Sequence, residues 1–324
     1  MQTTVARTLL RLDAQAETDR ISAAVRDQVQ HALKRRGVVV GLSGGIDSSV
    51  CAALSVRALG PDRVIGLFMP EEDSSPESLR LGRLLADGLG IRSFLENMTP
   101  LLEGAGCYRR RDEAIRSMVP GYGPGYKSKV VLADLTQRAY SIFSIVVESP
   151  NGTQTRTRLN ADAYLAIVAA TNFKQRVRKM MEYYYADRFQ FAVLGTPNRL
   201  EYDQGFFVKN GDGSADIKPI AHLYKTQVYQ LAEHLGVPDV IRRRPPTTDT
   251  YSLAQSQEEF YFSLPYHEMD LCLFGVNHGI PSSEVAPHVG LTAEQVEHVY
   301  KDIHTKRSTT RYLHERPLLV EPVL

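Results

Sequence analysis

The chain's most chemically suggestive stretch is Gly41-Leu42-Ser43-Gly44-Gly45-Ile46-Asp47-Ser48-Ser49, a glycine- and serine-rich turn between the apolar run Val38-Val39-Val40 and a helical segment. Where a buried strand ends and a helix begins, unpaired backbone N–H groups and the helix dipole together form an anion site. Glycines let the backbone approach oxygens closely, and serine hydroxyls add donors. The spacing is neither G-x-x-x-x-G-K-S/T nor G-x-G-x-x-G, so the common phosphate and dinucleotide loops are both absent. Read in isolation, the stretch is equally a tight strand-to-helix turn with Asp47 in the first helical turn.

The string SGGIDSS, Ser43 to Ser49, resembles the pyrophosphate loop of the ATP pyrophosphatases, which split ATP into AMP and pyrophosphate. That resemblance implies that the amides of Gly41 to Ser48, with the hydroxyls of Ser43 and Ser48, hold phosphates, and that Asp47 helps hold Mg2+. The chemistry calls for such a site. Expelling pyrophosphate concentrates negative charge, which a metal and oriented amides neutralise without reorganising.

A second segment narrows the family. Val193-Leu194-Gly195-Thr196-Pro197-Asn198-Arg199-Leu200-Glu201 and its continuation GFFVKNGDGSADIKPIAHLYKTQVYQLAEHLG resemble the NAD synthetases, which adenylate the nicotinate carboxylate of deamido-NAD and let ammonia displace AMP. The similarity runs from about Val25 to Asp270. It implies that Thr196, Lys225 and Thr247 contact ATP and that Glu201 is the second Mg2+ ligand opposite Asp47. It also implies that Arg176, Lys209 and Asp216 contact deamido-NAD, and that the chain is a homodimer formed around the helix carrying Arg176. Taken singly, each residue reads as a surface charge or a cap; together they stand at the family's separations.

Near the carboxyl end, His304-Thr305-Lys306-Arg307 resembles the family's substrate-closing lysine-arginine element, with Lys306 and either His304 or Thr305 as the implied contacts. Thr305 and Ser308-Thr309-Thr310 depart from the family pattern there, as does Pro197 beside the ATP site, where proline removes a backbone donor. These departures keep open a same-fold adenylating amide ligase acting on a different carboxylate.

The elements that must position these groups read as an α/β fold with a doubly wound parallel sheet and helices on both faces. Ile21, Val25, Val29 and Leu33 recur at four-residue steps and predict an amphipathic helix ending at Gly37. Val38 to Val40 is a strand buried on both faces. Val50 to Leu59 predicts a helix, Arg63 to Phe68 a strand, and Pro76 to Leu89 a helix before another extended stretch from Gly90-Ile91. Further on, Thr171 to Ala186 reads as helix, Gln190 to Leu194 as strand, and Lys225 to Leu235 as helix closed by Gly236 and Pro238. Between Cys107 and Leu159 the alternation breaks. The runs Ser141 to Val147 and Thr153 to Leu159 around Pro150-Asn151-Gly152 predict an inserted arm ending in a β-hairpin.

Composition sets the bounds. The 324 residues carry 38 basic and 37 acidic side chains, a formal charge of +1, which gives no global pull towards nucleic acid or anionic membranes. Cys51, Cys107 and Cys272 are odd in number and far apart, which argues against a disulfide framework or a zinc site and makes a reducing cytoplasm the expected compartment. No apolar run has the length of a signal peptide core or a membrane span. About 36 residues precede the first strand, leaving no room for a glutaminase domain. The expectation is one synthetase-like domain over 1–324, with 107–159 inserted in it, using ATP, Mg2+ and ammonia. Rival readings are a nucleotide-binding regulator without turnover and a nucleic-acid-thiolating enzyme. The latter calls for reactive cysteine pairs or a basic surface.

Overall fold

The computed structural model describes residues 9–132, 143–247, 250–262 and 264–323. Its centre is a parallel sheet of β1 (Val38–Gly41), β2 (Val64–Phe68), β3 (Arg92–Leu95) and β7 (Ala192–Val193) in the order β3-β2-β1-β7. Three consecutive valines are tolerated because both faces of β1 are covered. Val38 and Val40 pack with Ile21 and Val25 of α1 (Ala14–Asp27), Val50 and Leu54 of α2 (Ile46–Leu59), Leu81 of α3 (Pro76–Leu89) and Leu231 of α8 (Lys225–His234). Val39 points the other way, into a cluster with Ile65, Leu67, Val193, and Tyr185 and Ala186 of α6 (Ala161–Phe189). This is the doubly wound arrangement that the strand-helix alternation implies.

Helix boundaries follow local chemistry. Asp13 caps α1, its carboxylate accepting from Ala16 N, and the last turns continue as a π-helix over Gln28–Ala32. Ser75 caps α3 with Pro76 at its first position, and Gly90 ends it in the left-handed conformation. The helix expected from Thr171 begins ten residues earlier, where Asn160 accepts from Ala163 N at 2.8 Å. It runs 29 residues until Gln190 adopts φ +58°. That turn also shortens β7, because Gln190 cannot be strand.

The 107–159 segment is only partly hairpin. Cys107–Met118 forms α5, following the short α4 (Thr99–Gly104), and Cys107 and Ile115 of α5 are fully buried. Lys127–Leu132 (β4), Phe143–Glu148 (β5) and Gln154–Arg158 (β6) form an antiparallel sheet in that order. The turn at Asn151-Gly152 joins β5 to β6; Ser141 and Ile142, the start of the predicted strand, lie outside the described residues. The inner face of this sheet, with Val130, Ile145 and Val147, packs with Ile115 of α5 and Ile167 of α6. One long helix therefore serves three hydrophobic clusters, since its Phe173, Val177 and Met181 also pack on Met98, Leu102, Cys107 and Tyr108.

Short helices α7 (Arg199–Asp203) and α9 (Asp239–Arg242) flank α8. The carboxyl-terminal part is helical: α10 (Tyr266–His278), α11 (Ser282–Val289) and α12 (Ala293–His314) enclose Leu273, Val285, Val296 and Ile303. Among the described residues no helix is long and apolar enough to cross a membrane.

Candidate active site

A cavity of about 570 Å³ opens beyond the carboxyl end of β1, where open parallel sheets place their ligands. Its floor is the glycine-serine turn. Helix α2 starts at Ile46, so Asp47, Ser48 and Ser49 sit in its first turn, and the hydroxyls of Ser48 and Ser49 donate to Gly45 O at 3.1 and 2.8 Å. Ser43 Oγ lies 3.2 Å from Ser48 Oγ and accepts from Gly45 N at 3.2 Å. Gly44 lies outside the cavity lining and has a conformational role: its φ is +71°, and a Cβ there would lie 2.4 Å from Ser78 O. Gly41 serves a close approach, since a Cβ would come within 2.9 Å of Glu182 Oε1.

Two carboxylates converge above the turn. Asp47 Oδ2 is paired with the Lys225 ammonium, and Asp47 Oδ1 accepts from Asn198 Nδ2 at 3.1 Å. Asn198 also caps α7. Its side chain accepts from Glu201 N at 3.3 Å, while Glu201 Oε2 accepts from Asn198 N at 3.2 Å. This reciprocal capping box fixes Glu201 by backbone geometry. Gln257 Nε2 donates to Glu201 Oε1 at 2.8 Å. Burial raises the Glu201 pKa, and the neighbouring Asp47 charge raises it further. Lys225 begins α8; its N–H and that of Thr226 donate to Asp270 at 3.1 and 2.7 Å, and burial pushes the Asp270 carboxyl up to about 7.

The far wall is α6 and the carboxyl-terminal helix. Arg176 Nε donates to Lys209 O at 3.2 Å, and Lys209 Nζ donates to Tyr312 O at 2.6 Å, capping the end of α12. Lys179 and Glu182 line the cavity as a buried ion pair at 2.5 Å. Behind this wall Lys174, wholly buried, donates to Glu71 Oε1 at 3.0 Å, Asp73 Oδ2 at 2.6 Å and Thr250 O at 2.8 Å. Tyr108 OH donates to Glu71 Oε2 at 2.8 Å, and Arg111 Nη1 pairs with Asp73 at 2.5 Å. The network ties the end of β2 to α5, α6 and the segment at Thr250.

The structure thus brings Gly41, Leu42, Ser43, Gly45, Ile46, Asp47, Ser48, Thr196, Glu201, Lys225 and Thr247 to one cavity with Arg176 and Lys209. Asp216, His304 and Lys306 are not in its lining. Asp216 instead accepts from Val193 N at 2.7 Å, while Asp212, four residues earlier, faces the cavity. His304 is exposed on α12. Lys306 is buried, donating to Tyr261 O at 2.6 Å, and Tyr261 itself lines the cavity. Sequence reasoning missed Lys179, Glu182, Asp212 and Gln257, which carry no motif of their own, although Asp212 stands within the GDGSAD string already singled out.

Fold and loop together define a doubly wound α/β protein whose cavity is floored by a glycine-serine turn rather than a lysine-bearing loop. The NAD synthase family model matches residues 17–116 and 131–312. Among curated relatives, the NH3-dependent NAD+ synthetase of Rhizobium meliloti (strain 1021) is 62% identical over 97% of this chain and 94% of its own length. That of Thermotoga maritima is 35% identical over 74% of this chain and 79% of its own. Of solved structures, an NH3-dependent NAD synthetase from Campylobacter jejuni superposes with a TM-score of 0.63 at 21% identity, covering 96% of this chain and all of the other. An NMN synthetase from Francisella tularensis gives 0.62 at 22%, covering 97% and 100%; both attest the fold. The chain belongs to the NAD synthase family.

Proposed function

We propose that the chain amidates deamido-NAD to NAD, using ATP to form an acyl-adenylate and ammonia to displace AMP. The observation that carries this is the joining, in one cavity, of the glycine-serine phosphate turn with the Arg176–Lys209 wall. The strong resemblance to NH3-dependent relatives supports ammonia as donor and deamido-NAD, rather than another carboxylate, as acceptor. The turn amides and Ser43 and Ser48 receive the ATP phosphates, with Thr196, Lys225 and Thr247 around them. Arg176 and Lys209 supply cations for the second nucleotide.

Asp47 and Glu201 fit a divalent cation. Two carboxylates lie close enough that the charge of Asp47 raises the proton affinity of Glu201, while the buried Lys225 ammonium pairs with Asp47 and opposes that rise. Mg2+ is commonly held by one or two carboxylates together with substrate phosphates. When bound it neutralises the charge on the leaving pyrophosphate. Asn198 and Gln257 orient the two carboxylates for that task.

The substrate carboxylate attacks the α-phosphorus, pyrophosphate leaves, and ammonia attacks the acyl carbon. No side-chain nucleophile is needed, so positioning and charge neutralisation supply the rate. We place the enzyme in the cytoplasm as a homodimer built on α6. Purified protein supplied with deamido-NAD, ATP, Mg2+ and ammonium is expected to yield NAD, AMP and pyrophosphate in equal amounts. Release of ADP would overturn the proposed chemistry.

A further inference from the structure

The buried pair Lys179–Glu182 has no structural need that an apolar pair would not meet. Replacing a buried ion pair by packed hydrophobic residues is often neutral or stabilising. Yet Lys179 and Glu182 are only 5% and 7% exposed and both line the cavity. Arg176, Lys179 and Glu182 recur every three residues along one face of α6, about 9 Å of helix. Arg176 stands at the Lys209 end of that face. Glu182 stands at Gly41, where the phosphate turn begins and where only a glycine leaves room for its carboxylate. Whatever joins a substrate held at Arg176 to phosphates held at the turn must cross this face.

We propose that Glu182 accepts the proton shed by the attacking nitrogen in the amidation half-reaction, with Lys179 as its positioning residue. The inference rests on the function proposed above. As the C–N bond forms, the acyl C–O bond breaks and AMP leaves with its electron pair; one N–H proton passes to the Glu182 carboxylate and then to solvent. The groups facing Glu182 suit this task. Lys179 and Arg178 on its own helix favour the ionised form, Asp212 across the cavity opposes it, and Gly41 on β1 brings no charge. Burial dominates and raises the Glu182 pKa, which makes its carboxylate a stronger proton acceptor than an exposed one.

The test separates the two half-reactions. Glu182→Gln is expected to keep deamido-NAD-dependent exchange of labelled pyrophosphate into ATP within about threefold of the parent, while single-turnover discharge of the adenylate by ammonium falls about 100-fold. Hydroxylamine also sheds an N–H proton as its nitrogen attacks, so its discharge of the adenylate is expected to fall on the variant as well. The double variant Lys179→Met/Glu182→Leu removes both partners of the ion pair, leaves Arg178 as a counter-charge for Asp212, and is expected to show the same discharge defect with a melting temperature close to the parent's. Equal losses in exchange and discharge, or an unchanged discharge rate, would overturn the assignment. Absence of deamido-NAD-dependent exchange in the parent protein would instead remove the proposed function itself, and this inference with it.

Discussion

Asn198 donates its side-chain amide to the Asp47 carboxylate at 3.1 Å while capping the helix whose third residue is Glu201. One asparagine therefore fixes both acidic residues of the site, though Asp47 and Asn198 lie 151 residues apart. Asn198→Ala removes the cap and one hydrogen bond to Asp47. It is expected to cost about 1 kcal/mol of stability and to raise the Mg2+ concentration needed for half-maximal turnover severalfold. A melting curve and a magnesium titration check the two effects separately.

Glu201 gives the fold a pH dependence whose sign is fixed by its raised pKa, from the ordinary 4.5 to about 7. The folded state then binds this proton more tightly than the unfolded state does. The resulting stabilisation is fully present below about 4.5 and is lost as pH rises through 7. Glu201→Gln lacks this contribution. The stability difference between variant and parent is therefore expected to move in the variant's favour from pH 4.5 to 7.5 without Mg2+, and to move back when Mg2+ and ATP are added. Urea midpoints across that range provide the measurement.

Lys174→Met removes the ammonium shared by the buried Glu71 and Asp73, leaving Arg178 at 3.9 Å for Glu71 and Arg111 at 2.5 Å for Asp73. Removing one partner of a buried pair costs about 3–5 kcal/mol. Thermal unfolding is expected to show a loss of that order, and Lys174→Met combined with Glu71→Gln should recover part of it.

Gly44→Ala asks an L-residue to hold φ +71° with its Cβ 2.4 Å from a backbone oxygen. Left-handed backbone alone costs about 1 kcal/mol, and here the turn must also shift. The KM for ATP in pyrophosphate exchange is expected to rise at least tenfold, with a far smaller effect on deamido-NAD.

The phosphate turn was legible because all its chemistry lies within nine consecutive residues and its strand and helix flank it directly. The valine run of β1 and the four-residue apolar steps of α1 were legible for the same local reason. β4 was not, because Lys127-Ser128-Lys129 puts polar residues into a strand whose burial comes from α5 and α6. Nor was Glu182: from Lys174 to Glu182 the buried positions of α6 are Lys174, Lys179 and Glu182, so no apolar period marks that stretch. Asp212 and Asp216 share one string, and only the fold distinguishes the carboxylate in the cavity from the one bonded to Val193 N.

The cavity's walls run from Gly41 to Leu313 along the chain. A ribosome must release the phosphate turn long before it makes the residues that close the opposite side. Nucleotide bound by the finished cavity stabilises only chains completed through Leu313, by mass action on the native state. During synthesis the early strands and helices must hold on their own packing, so mutations in the valine core of β1 should lower soluble yield in ways that added ATP does not rescue.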